Sequence, residues 1–205
     1  MAVHPMTPAG RSRPALLFLV LVGAAPRVSA QGASPPATVD SAALQDRANF
    51  RLMLNTAVRR DIVEAAEAMP ADKYGFAPSA GEFKNVRTFS AQIKHLAATN
   101  YILAAAALGK PPPPDAGDEM GPDSLVTKVQ DIAYLKGSFD ALERAVNAIG
   151  DRRVPVRSSP ISPFQAGTAT RLSLIAEALI HAFDHYGQMV EYLRMNGVIP
   201  PASRR

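Results

Sequence analysis

The sequence predicts an all-α fold, a four-helix bundle with long inter-helix loops. Three observations predict it: four blocks carry apolar residues at helical spacing, proline and glycine punctuate the gaps between them, and strand signals are nearly absent. Helices with one apolar face each are best buried against one another.

The elements follow in chain order. Residues 1–30 read as a signal peptide: Arg11 and Arg13 supply a positive start, Pro14 to Ala25 is apolar, and Val28-Ser29-Ala30 sets small residues at a cleavage site. The apolar run falls short of the ~20 residues that span a bilayer. Cleavage near Ala30 therefore predicts an exported protein, periplasmic or extracellular, with no membrane attachment afterwards. Residues 31–39 have little to bury and read as a disordered lead-in, and residues 40–205 form the bundle domain.

The first helical block runs from about Ser41 to Met69, with Leu44, Ala48, Leu52, Val58, Ile62, Ala65 and Met69 on one face until Pro70 stops it. The second runs from about Thr88 to Leu108 on Phe89, Ile93, Leu96, Asn100 and Leu103, and Gly109 with Pro111 to Pro114 ends it. The third starts near Pro122 and Asp123 and carries Leu125, Val129, Ile132, Phe139, Leu142, Val146 and Ile149 as far as Gly150. The fourth spans Thr170 to Asn196 and closes at Gly197. The one β-like stretch, Val154 to Val156, is interrupted by Pro155. The connections exceed the few residues usual between bundle neighbours, so at least one is expected to cross over.

Composition then narrows the function. The chain has 205 residues, 22 basic and 18 acidic, and no cysteine, which excludes disulfides and thiolate chemistry. Three basic and no acidic residues lie in the leader, so the mature balance is 19 against 18. That near-neutral chain gives no reason to expect a nucleic-acid partner.

Three histidines remain after the leader: His95, His181 and His185. The last two stand at i and i+4, on one helix face, where two imidazoles can converge on one ion. On the fourth helix the main apolar stripe reads Leu172, Ile175, Leu179, Tyr186, Val190 and Leu193. The histidines share a flanking stripe with Leu174, Ala178, Met189 and Tyr192, His185 the deeper of the pair. His95 sits beside the apolar face of the second helix. Hydrogen-bonded core histidines are the alternative reading, since the spacing also arises by chance. Three neutral imidazoles would leave an open position for water or substrate, the pattern of a catalytic metal site. Glu177, one turn before His181, is a candidate base or imidazole partner, and Gln188, about one turn after His185, could hydrogen-bond into the site. A solvated surface role is the alternative for both. Asp184 reads as surface charge, Tyr101 and Tyr192 as packing residues, and Arg152, Arg153 and Arg157 as a solvated loop cluster, with attraction of an anionic substrate as the alternative.

At these residues the sequence resembles the DinB-like family of four-helix-bundle proteins. The resemblance is carried by HAFDHYGQMVEYLRMNGVIPPAS (His181 to Ser203) and by PADKYGFAPSAGEFKNVRTFSAQIKHLAATNY (Pro70 to Tyr101). It implies a divalent metal ion, zinc or nickel, held by His95, His181 and His185 with water completing the shell, and a homodimer formed through helix faces. Family members with known activity include thiol S-transferases and a thiol-dependent isomerase, so the resemblance implies a metal-dependent enzyme of S-transferase type acting on a small molecule; export makes metal-assisted hydrolysis the better fit. A non-catalytic metal- or ligand-binding bundle acting as a dimer is the alternative.

Overall fold

The computed structural model describes residues 41–116, 118–150, 161–165 and 167–204. The leader, the lead-in, Val154 to Val156 and the arginine cluster lie outside them. Every regular element among the described residues is helical. The elements are α1 (Ser41–Met53), a π-helical turn (Leu54–Val58), α2 (Arg59–Ala68), α3 (Phe89–Ala107), α4 (Lys128–Asn147) and α5 (Arg171–Met195).

The first block is thus α1 and α2 joined through a π-turn, and that turn corrects the expected face. Leu44 and Leu52 are exposed, while Ala43, Leu54, Val58, Ile62, Ala65 and Met69 are buried. A π-turn holds more residues than an α-turn. The steps of four from Leu54 to Val58 to Ile62 therefore stay on one face instead of drifting around the helix, and the face continues upstream through Phe50 and Ala43, not through Leu52 and Leu44.

α3 is the central element. Fifteen of its nineteen residues are buried, including the small run Ala104 to Ala107, and a helix buried on nearly all sides must have neighbours on nearly all sides. It packs most extensively on α4 and then on α5, whereas α2 packs on α5 and α4. Consecutive blocks α2 and α3 therefore sit across the bundle from each other, and residues 69–88 form the expected crossover. That connection is pinned at both ends. Tyr74 Oη donates to the Ala66 carbonyl at 2.6 Å, and the N–H groups of Phe89 and Ser90, orphaned at the start of α3, donate to the carbonyls of Phe76 and Tyr74 at 2.9 Å each. Thr88 caps the same end by accepting from the Ala91 N–H.

α4 begins later than the proline near 122 suggests. Thr127 and Gln130 form a capping box, and Val129 is exposed. The Thr-x-x-Gln spacing was present in the sequence, and it outweighs Pro122 because it satisfies two orphaned N–H groups where proline satisfies none. α5 has the expected limits, capped by Thr170 and closed at Asn196 before Gly197, whose φ is +72°. Phe89, Leu96, Phe139, Leu142, Leu174 and Leu193 belong to one core shared by the helices.

Candidate metal centre

α3 and α5 bring the three histidines together. His95 and His185 are buried and His181 is half-buried, and the deepest residues of α5 are Leu174, Ala178, Ala182, Met189 and Leu193. The stripe expected on the flank is therefore as much part of the core as the main stripe, of which Ile175, Leu179 and Leu193 are buried and Leu172, Tyr186 and Val190 only partly covered. Two imidazoles lower the apparent hydrophobicity of the stripe that faces α3, which is why the sequence ranks it second.

The three Nε2 atoms converge. His181 Nε2 stands 3.2 Å from His95 Nε2 and 3.1 Å from His185 Nε2. One ligand atom from each ring lies within 4.8 Å of the others. A tetrahedral zinc with Zn–N near 2.0–2.1 Å would set its nitrogens about 3.3 Å apart, so the spacing fits an ion of that size. The donor chemistry makes the same demand. An imidazole nitrogen has one in-plane site, occupied by either a proton or a lone pair. His181 Nε2 therefore cannot hydrogen-bond to both neighbours at once. A cation between the rings satisfies all three lone pairs, and the residues present fit such an ion.

The backbone fixes one tautomer. His95 Nδ1 lies 2.8 Å from the Glu119 carbonyl, which can only accept, so the proton is on Nδ1 and the Nε2 lone pair is free. Glu119 has a left-handed backbone, φ +66°, uncommon for a residue other than glycine. Gly121, φ +72°, follows it, and a Cβ there would stand 3.1 Å from Lys94 Cβ and the Lys94 carbonyl oxygen. The loop is thus pressed onto α3 beside His95, and only glycine allows that approach.

His185 is held from α3 by a residue the sequence reading missed. The Gln92 side-chain nitrogen lies 3.2 Å from His185 Nδ1 and donates to Gln188 Oε1 at 2.9 Å, while Gln92 Oε1 has no hydrogen-bond partner among the described residues. Turning the amide over presents Oε1 to a proton on His185 Nδ1 and frees Nε2 as a ligand, in exchange for the bond to Gln188. The available signal was position: Gln92 precedes His95 by one turn on the same buried face of α3.

Burial shapes the titration of the cluster. Desolvation, followed by the neighbouring imidazoles, pushes His181 down to about 4 and His185 down to about 3, and desolvation lowers His95. All three rings are neutral near pH 7, the form that binds metal.

The other candidates are placed differently. Glu177 accepts from Ser162 Oγ at 2.7 Å, and burial raises its pKa against the lowering effect of that bond. No hydrogen bond joins it to His181, whose Nδ1 is buried without a partner among the described residues. Glu177 and His181 instead line one cavity of about 470 Å³. Gln188 is exposed and bridges, accepting from Gln92 and donating to Asp184 at 2.9 Å, so it reaches His185 only through Gln92. Asp184 is at the surface. Tyr192 packs with Phe76 and donates to the Arg87 carbonyl at 3.0 Å, and Tyr101 packs on Tyr134.

No curated protein matches the chain. The family profile described as the DinB superfamily matches residues 54–189, a span that opens in the π-turn and includes all three histidines. On that match and this helical architecture, the chain belongs to the DinB superfamily.

Proposed function

We propose that this chain is an exported metal-dependent enzyme, of hydrolase or S-transferase type, with zinc or nickel held by His95, His181 and His185. One observation carries the reading: His181 Nε2 within 3.2 Å of two other ring nitrogens, an arrangement that a shared cation satisfies and two hydrogen bonds cannot. Three neutral imidazoles suit both metals. A bound divalent ion supplies Lewis acidity, lowering the pKa of a water or thiol and polarising a carbonyl.

The chain's own residues set up that chemistry. The Glu119 carbonyl holds the Nδ1 proton of His95 and so aims Nε2 inward. Gln92 does the same for His185 once its amide presents oxygen. Glu177, oriented by Ser162 on the wall that His181 shares, is the proton acceptor within the cavity; its raised pKa brings it closer to the working range of a general base. Hydrolysis suits an exported protein better than thiol transfer, because oxidising compartments keep few free thiols.

Metal analysis of protein purified without a histidine tag tests the centre. Wild type should carry ion in excess of a His181→Ala variant under metal-replete conditions, and equal content would sink the reading. Hydrolase and thiol-transferase substrate panels on metal-loaded wild type and His95→Ala then test catalysis, for which equal rates would count against it.

A further inference from the structure

We propose, building on the metal-centre reading, that the cavity beside His181 binds an uncharged molecule with an apolar body and one hydrogen-bonding group, which the Thr99 hydroxyl engages. The cavity of about 470 Å³ lies within the range that small ligands occupy. Leu103, Ile161, Phe164 and Ile180 form apolar walls, and His181 is the member of the histidine cluster that reaches it.

Thr99 is a buried polar residue on that lining. It lies one turn after His95 on α3, is 4% exposed, and its Oγ1 has no hydrogen-bond partner among the described residues. Burying a hydroxyl without a partner is costly, and a ligand group placed against it would recover that cost. Besides His181, the ionisable groups on the described lining are Glu119 and Glu177, with no lysine or arginine. An anionic body would meet the Glu177 carboxylate and, with no lysine or arginine on the described walls, would have only the ion of the metal centre to offset it, whereas an uncharged body needs no such offset. The larger cavity of about 720 Å³ near Arg87 and Glu191 has none of the three histidines on its wall.

The test titrates the full chain at neutral pH with three naphthalene probes, by their own fluorescence, with metal content measured on the same samples. The probes are 2-methylnaphthalene, 2-naphthylmethanol and naphthalene-2-sulfonate, the last a weakly coordinating anion that reports charge and not metal ligation. The alcohol should bind at least about tenfold tighter than the sulfonate. Thr99→Val should weaken the alcohol about threefold to tenfold, the worth of one hydrogen bond, and leave 2-methylnaphthalene unchanged. Glu177→Gln should admit the sulfonate more readily. Ala176→Phe should abolish binding of all three with helicity intact; if that variant does not fold, Ile180→Glu at the exposed rim should weaken the hydrocarbon instead. Sulfonate binding as tight as the alcohol in wild type, or an unchanged alcohol affinity in Thr99→Val, overturns the proposal. Protein that binds the alcohol but holds no metal supports the cavity assignment and overturns the metal reading, whereas metal-bearing protein that binds no probe does the reverse.

Discussion

At the scale of single residues, the centre depends on partners as much as on ligands. The Glu119 carbonyl fixes which nitrogen of His95 is free and the Gln92 amide lies against His185 Nδ1, and loss of such a partner of a metal-binding histidine typically costs 10–100-fold in metal affinity. Gln92→Leu should therefore lower affinity by about that factor while the helical signal is retained, checked by chelator competition; unchanged affinity would show that Gln92 only fills space. The histidines also set a pH dependence in the metal-free protein. Above 6.5 they are neutral in both states and contribute none. As pH falls from 6.5 toward about 3, the unfolded chain takes up protons that buried His181 and His185 refuse, so stability is lost. Asp131 and Glu177, whose pKa values burial raises, act with the opposite sign, since the folded state holds their protons longer. Denaturation midpoints of metal-free wild type and His185→Gln isolate the histidine part: the wild type should decline more steeply with acid, and parallel curves would refute it.

At the scale of elements, the end of the Tyr101 side chain on α3 lies against the backbone of α4. Gly137 lies inside α4, where alanine would ordinarily gain about 1 kcal/mol of helix propensity. A Cβ at that position would stand 2.4 Å from Tyr101 Oη, on a ring packed at 5.1 Å from Tyr134. Displacing it costs about 1–3 kcal/mol, so the clash outweighs the propensity. Gly137→Ala should lower Tm, and adding Tyr101→Phe should restore it, because the offending atom is gone and the next ring atom is 3.7 Å away. A Gly137→Ala protein as stable as wild type would mean that Tyr101 yields freely. The ends of α3 and α5 were legible because Thr88, Thr170, Gly109 and Gly197 act locally. The exposed side of α1 was not, since a π-turn is a response to packing and carries no residue signature.

For the whole molecule, the open proposals are export and assembly. Mass spectrometry of secreted material should find the chain beginning at Gln31 or its cyclised form; an intact Met1 would overturn export. The homodimer remains a proposal on the same footing. Among the described residues no helix is long and apolar enough to cross a membrane. The crossover at residues 69–88 places α3 between α4 and α5, and this sets His95 opposite the pair on α5.

The sequence by itself determined the helical class, most helix limits and the three histidines, because periodicity, capping and residue type are local properties. Tertiary structure decided how those histidines are arranged. The burial of the α5 histidine stripe, the left-handed turn that offers the Glu119 carbonyl, the amide of Gln92 and the unpartnered hydroxyl of Thr99 all arise where α3, α5 and the 108–127 connection meet. Each depends on a neighbour distant in the chain, and a backbone carbonyl or a side-chain amide has no meaning for a metal until packing aims it.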